Sequence, residues 1–124
     1  MDKPVILFVD DEPDTLKVIS SGLEERDFKM LQANTGEEAL ELLKTNKPDL
    51  ILADLRMQPM NGFELFQQVK KDPKFVTTPF LFLTAVDEIL AKKYGQKLGV
   101  DAYITKPVEL DDLVSIIKNR LGRK

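Results

Sequence analysis

Five times over, a short apolar run is followed by a longer amphipathic stretch, and that alternation leaves the chain few folds to adopt. Val5-Ile6-Leu7-Phe8-Val9 is apolar throughout, as a strand covered on both faces would be. Similar runs lie near Phe28 to Ala33, at Leu50 to Ala53, at Phe80 to Leu83 and at Ala102 to Ile104. The intervening stretches have helical spacing. The first runs from Pro13 to about Arg26 and would bury Leu16, Ile19 and Leu23; Pro13 suits a first turn, with Asp11 or Glu12 as cap. The second spans about Gly36 to Asn46, with Ala39, Leu40 and Leu43 on one face, and the third spans Gly62 to about Lys71, with Leu65, Phe66 and Val69 inward. The fourth spans Asp87 to Leu98, although Gly95 inside it costs about 1 kcal/mol against alanine. Leu110, Leu113, Val114, Ile117 and Leu121 form the stripe of a fifth.

Alternation of this kind predicts an α/β fold, a doubly wound parallel sheet with helices on both faces. Right-handed crossovers restrict its topology, while periodicity alone leaves strand order open. With 124 residues and no linker, repeat or low-complexity stretch, the chain is expected to be one domain over 1–124.

Charged residues gather where the runs stop. Asp10-Asp11 end the first run, Asp54 ends the third, Thr84-Ala85 the fourth and Lys106-Pro107 the last. In an open parallel sheet, sites form at this carboxyl edge. Each residue has an ordinary reading alone: Asp10 and Asp11 capping a helix, Asp54 capping a turn, Thr84 ending a strand, Lys106 reaching solvent. Together they describe an acidic cluster beside a lysine. Clustered carboxylates repel, so either pKa values rise or a cation binds. A donor set made only of oxygens suits a hard ion such as Mg²⁺. Asp54 could then be a metal ligand or a nucleophile that forms an aspartyl-phosphate. Phosphoryl transfer asks mainly for positioning and charge neutralisation, which a cation and Lys106 would supply. The Thr84 hydroxyl and a nearby amide could hold a phosphoryl oxygen. Tyr103 either packs on the sheet or changes burial with the state of the site, and the Lys106–Pro107 bond can be cis.

Composition removes the competing chemistries. Without histidine or cysteine there is no Ser-His-Asp or Cys-His catalysis, no thiolate or imidazole metal site and no disulfide. No Walker-type loop or Gly-x-Gly-x-x-Gly follows a strand. A net charge of -3, from 18 basic and 21 acidic residues, argues against direct nucleic-acid binding. Lys118, Arg120, Arg123 and Lys124 suit a solvated helix end. No apolar run approaches the ~20 residues that span a membrane, and Met1-Asp2-Lys3-Pro4 is unlike a signal peptide. A cytoplasmic location is the expectation.

The motifs Val9-Asp10-Asp11, Asp54-Leu55-Arg56-Met57, Met60-Asn61-Gly62, Thr84-Ala85 and Tyr103-Ile104-Thr105-Lys106-Pro107, in this order and spacing, resemble the receiver domain of two-component response regulators, the CheY-like fold. The resemblance runs from about Pro4 to Leu121. It implies a flavodoxin-like sheet of order 2-1-3-4-5, for which this family is a standard example. It implies that Asp54 is the phosphoacceptor. Asp11, Asp54 and the Arg56 carbonyl would be direct Mg²⁺ ligands, and Asp10 would act mainly through water. Lys106 and Thr84 would hold the phosphoryl group, with Thr84 and Tyr103 as a switch pair that reshapes the surface of the fourth helix, fifth strand and fifth helix. The implied partners are a histidine kinase or histidine phosphotransfer protein, docked partly on the first helix near Val18, and a downstream output domain or protein. Dimerisation through the last helices is common in the family. The implied protein is a switch rather than an enzyme, promoting its own phosphorylation and dephosphorylation.

Two departures stand out. Many relatives have proline four residues after the phosphoacceptor; here Gln58 is there and Pro59 follows, so a shifted loop around an intact site is expected. Arg56 and Val86 occupy positions that vary with phosphoryl lifetime in the family, and a cationic Arg56 could shield the phosphoryl group from water. Two other classes compete with the switch. One is a phosphorylation-independent interaction module, which has no need of the acidic cluster and lysine. The other is a Mg²⁺-dependent phosphatase, which often carries a second aspartate where Arg56 stands.

Overall fold

The computed structural model describes residues 2–122. Met1, Arg123 and Lys124, which entered the readings of the two termini, lie outside the described residues. Strands β1 (Val5–Val9), β2 (Lys29–Ala33), β3 (Leu50–Ala53), β4 (Phe80–Thr84) and β5 (Ala102–Thr105) alternate with helices α1 (Pro13–Glu24), α2 (Gly36–Leu43), α3 (Gly62–Lys70), α4 (Ile89–Leu98) and α5 (Leu110–Arg120). All strand pairs are parallel, in the order β2-β1-β3-β4-β5. This is the doubly wound, flavodoxin-like arrangement.

Strand periodicity divides the core in two. Leu7, Val9, Ile51, Ala53, Phe80 and Phe82 face one side, against residues of α2 and α3 such as Ala39, Leu43, Leu65 and Val69. Ile6, Phe8, Leu50, Leu52, Leu81 and Leu83 face the other, against Leu16 and Leu23 of α1 and Leu113 and Ile117 of α5. The central strands are thus apolar on both faces because both faces are covered.

The boundaries differ from the sequence reading for local reasons. α1 stops at Glu24 rather than Arg26, and Asp27, with a φ of 70°, turns the chain toward β2. Neither Asp11 nor Glu12 supplies a side-chain cap to α1; the Glu12 carboxylate instead accepts the Thr15 hydroxyl at 2.8 Å. α2 ends at Leu43, and Asn46 folds back through its amide side chain onto the Leu42 carbonyl at 2.9 Å. α4 begins at Ile89 rather than Asp87 and ends on Gly99, whose φ of 93° suits glycine. β5 extends one residue further, to Thr105. A 3-10 turn at Pro73–Phe75 has no counterpart in the sequence reading; Asp72 caps it by accepting the Lys74 N–H, and it buries Phe75. Lys118 and Arg120 are exposed in the last turn of α5, and Val18 on α1 is 68% exposed. No helix among the described residues is long and apolar enough to cross a membrane.

One buried group has no partner. The Ser20 hydroxyl, on the inner face of α1, makes no hydrogen bond among the described residues. An unmet hydroxyl in an apolar site is unfavourable, and alanine is the better helix former. Ser20→Ala is therefore expected to stabilise the fold by about 1 kcal/mol, read as a higher denaturation midpoint.

Candidate functional site

Parallel register brings the strand ends level. Val9 pairs with Ala53, so Asp10 and Asp54 leave the sheet side by side, and the Asp54 N–H donates to the Val9 carbonyl at 2.9 Å. On the far side Thr84 pairs with Thr105, and the Lys106 N–H donates to the Thr84 carbonyl at 2.8 Å. All the strand-end residues singled out in the sequence therefore meet at one edge.

Asp10, Asp11 and Asp54 each bring a carboxylate oxygen within 4.8 Å of the others. Asp10 is fully buried, Asp54 is nearly so, and Asp11 is exposed. The Lys106 ammonium donates to Asp10 Oδ2 at 2.9 Å and to Asp54 Oδ2 at 3.3 Å. The remaining oxygens of the two buried carboxylates accept backbone N–H groups, Asp10 Oδ1 from Glu12 at 3.0 Å and Asp54 Oδ1 from Arg56 at 3.3 Å. Three carboxylates thus face one ammonium. An oxygen-only donor set with excess negative charge, half buried and half open at Asp11, fits a hard divalent cation.

The electrostatics follow from that crowding. Burial raises the Asp10 pKa above its ordinary 3.8; Lys106 and the Glu12 N–H pull it back, and the Asp54 charge adds to the rise. Burial opposes the Lys106 ammonium, but its hydrogen bond to Asp10 and the charges of Asp54 and Asp10 outweigh it, so its pKa is raised. A carboxyl whose pKa is higher folded than unfolded binds more protons in the folded state, so its contribution to stability declines as pH rises through the window above 3.8. In chelator, Asp10→Asn is accordingly expected to be more stable than wild type at pH ~7, with the gap closing on acidification toward the unfolded-state value; paired denaturation curves across pH test it.

Thr84 and Tyr103 meet at Val86. The buried Thr84 hydroxyl accepts the Val86 N–H at 3.2 Å, and the Tyr103 hydroxyl donates to the Val86 carbonyl at 2.6 Å. The Tyr103 ring lies edge-on to Phe82 at 6.1 Å and beneath α4 at Gly95, where a Cβ would stand 3.4 Å from the ring. Gly95, unfavourable for helix propensity, thus marks where α4 comes down on Tyr103. Burial raises the Tyr103 pKa, and the charges of Asp87, Glu88 and Asp54 add to it.

The loop after β3 is held by residues to which the sequence reading gave no role of their own. Asn61 and Glu64 form a reciprocal capping box at the start of α3, each accepting the other's N–H at 2.9 Å. The Asn-Gly-Phe-Glu spacing carries that signature and could have been read in advance. Gly62 lies so close to Asp54 that a Cβ would stand 2.4 Å from the Asp54 carbonyl oxygen. The Gln58–Pro59 and Lys106–Pro107 peptides are both cis, and the Arg56 side chain is exposed.

A family model for the response regulator receiver domain matches residues 6–118. Protein PilH of Pseudomonas aeruginosa is 33% identical over 112 residues, covering 90% of this chain and 93% of that protein. Response regulator Rre1 of Synechocystis is 33% identical over 126 residues, covering 100% of this chain and 54% of that protein. The chain spans about half the length of several such curated relatives. Among solved structures, a two-component response regulator from Clostridium difficile superimposes with a TM-score of 0.90 at 26% identity, covering 98% of each chain.

Proposed function

The chain belongs to the response regulator receiver domain family of two-component systems, and on that premise we propose that it is a phosphorylation-dependent switch that accepts a phosphoryl group on Asp54. The observation that carries this reading is the meeting of Asp10, Asp11 and Asp54 within 4.8 Å, with Lys106 bonded to two of them. A helical capping role for the acidic pair needs neither the third carboxylate nor the lysine.

Asp11, Asp54 and the Arg56 carbonyl would hold Mg²⁺, with Asp10 acting through water. Bound there, the ion would neutralise charge on the phosphoryl oxygens. The Asp54 carboxylate forms the new O–P bond as the P–N bond of a phosphohistidine breaks. The bonding electrons stay on the departing ring nitrogen. That imidazole belongs to a histidine kinase or phosphotransfer protein, because this chain has no histidine. Lys106, already oriented by Asp10, pairs with the incoming charge, and the Thr84 hydroxyl turns from the Val86 N–H to a phosphoryl oxygen. Release of Val86 frees the Tyr103 ring, and the surface of α4, β5 and α5 changes with it. That surface addresses an output domain or protein, in this chain or another. The 124 residues act as one receiver unit with a core over about 4–121, in the cytoplasm, without direct contact to nucleic acid or membrane. The unit carries the phosphoryl group and promotes its own labelling and its loss, without turning over an external substrate.

Intact-mass analysis after incubation with acetyl phosphate tests the reading. One labile phosphoryl adduct is expected with Mg²⁺, and none with chelator or in Asp54→Asn. A folded wild-type chain that takes no label in Mg²⁺ would replace the switch with a phosphorylation-independent interaction module. Catalytic turnover of a phosphate monoester would replace it with a phosphatase.

A further inference from the structure

Two aspartates at the opposite edge of the sheet share one arrangement. Asp49, just before β3, donates its N–H to the Val5 carbonyl at 2.7 Å and accepts the Val5 N–H on its carboxylate at 2.7 Å. Asp101, just before β5, does the same on Phe80: its N–H reaches the Phe80 carbonyl at 3.0 Å and its carboxylate takes the Phe80 N–H at 2.7 Å. Each aspartate stands five residues ahead of a site residue, Asp49 ahead of Asp54 and Asp101 ahead of Lys106.

These strands have little else to mark their register. β3 reads Leu-Ile-Leu-Ala and is buried along its whole length. A strand apolar on both faces keeps most of its burial when it slides, so hydrophobic pattern discriminates weakly among registers. β5 has four residues and is an edge strand, paired to β4 alone. A carboxylate that must find one backbone N–H discriminates strongly. A slip of one residue moves the strand by about 3.3 Å. It would break the bond at Val5 or Phe80 and carry Asp54 away from Asp10, or Lys106 away from both carboxylates.

We infer that Asp49 and Asp101 are positioning residues for the phosphoryl site, setting the height at which β3 presents Asp54 and β5 presents Lys106. The chemistry of this assignment rests on the phosphoacceptor reading; its geometry does not.

The two strands carry different parts of the site, and that difference gives the test. In the full chain, Asp49→Ala is expected to weaken Mg²⁺ binding about three- to tenfold, because β3 carries a carboxylate of the cluster. Asp101→Ala is expected to leave Mg²⁺ binding no weaker than wild type, yet slow labelling by acetyl phosphate at saturating Mg²⁺ about tenfold, because β5 carries the lysine and no carboxylate of the cluster. Amide exchange should rise at Asp54 in the first variant and at Lys106 in the second. Asparagine, which keeps an acceptor oxygen, should restore each value. A loss of global stability alone does not produce this split. If alanine unfolds the chain, glutamate, which keeps the charge but changes the reach, should give the same split.

Folded alanine variants with wild-type Mg²⁺ affinity, labelling rate and exchange would overturn the inference and leave the aspartates a purely stabilising role. A wild-type chain that takes no label would sink the phosphoacceptor reading instead. The exchange rates at Asp54 and Lys106 would still decide the register assignment.

Discussion

Gly62→Ala is expected to cost about 2–3 kcal/mol of stability and to slow phosphoryl labelling about a hundredfold. Helix propensity alone predicts the reverse, since alanine gains about 1 kcal/mol over glycine within a helix. Steric contact decides the sign. A Cβ on Gly62 would stand 2.4 Å from the Asp54 carbonyl oxygen, 2.9 Å from the Leu55 Cα and 3.1 Å from the Asp54 carbonyl carbon. All three are backbone atoms, so no change of rotamer relieves the clash. Either α3 backs away or the loop from Asp54 to Arg56 does. The first is resisted by the Gly62 N–H bonded to the Leu55 carbonyl at 3.0 Å and by the Asn61–Glu64 box. The second moves the phosphoacceptor itself. Thermal unfolding and labelling rates, measured on the same preparation, separate the two. A destabilised variant that labels at the wild-type rate would show that the close approach serves the fold alone.

That glycine illustrates what the sequence could and could not convey. Apolar runs and helical stripes were enough to place most of the ten elements, because β1, β3 and β4 are buried on both faces and α1, α2, α3 and α5 each bury one apolar stripe. Helix α4 buries only Gly95 and leaves Ile89 and Leu90 exposed. Strand order was not among those signals; it came with the motif resemblance, and the sheet has the implied order. The strand-end residues were legible because charge ending a buried run is conspicuous. Residues that act through backbone were harder to see. Gly62 appears in sequence as a helix start, and its contact with Asp54 exists only in three dimensions. The 3-10 turn at Pro73–Phe75 depends on Asp72 and on Lys70, whose ammonium donates to the carbonyls of Phe75 and Val76 at 2.9 and 3.3 Å. Nothing in periodicity signals a lysine used as a carbonyl clamp. α4 starts at Ile89, two residues after Asp87, whose carboxylate reaches forward to Lys92 at 2.5 Å.

Lys106→Met should separate the two jobs the lysine holds, in the fold and in the chemistry. In chelator it is expected to destabilise the protein by about 3 kcal/mol at neutral pH, because removing one partner of a buried ion pair leaves uncompensated charge. The charges left behind are Asp10, fully buried, and Asp54, nearly so, both now without the ammonium at 2.9 and 3.3 Å. Acid should narrow the difference from wild type, since losing Lys106 removes a contact that lowers the Asp10 pKa and makes the carboxyl easier to protonate. Mg²⁺ should stabilise the variant more than it stabilises wild type, because a dication enters a cluster no longer sharing its charge with lysine; stabilisation reaches about 2.7 kcal/mol at a hundred times the dissociation constant. Labelling should nevertheless fall by about two orders of magnitude at saturating Mg²⁺, since the ammonium is needed where phosphoryl charge arrives. Denaturation with and without Mg²⁺, set beside labelling rates, reads all three. Tighter Mg²⁺ binding with slow labelling is the combination that assigns Lys106 to the phosphoryl group. Weaker Mg²⁺ binding in the variant would mean instead that the lysine's main service is to hold Asp10 and Asp54 in place for the metal.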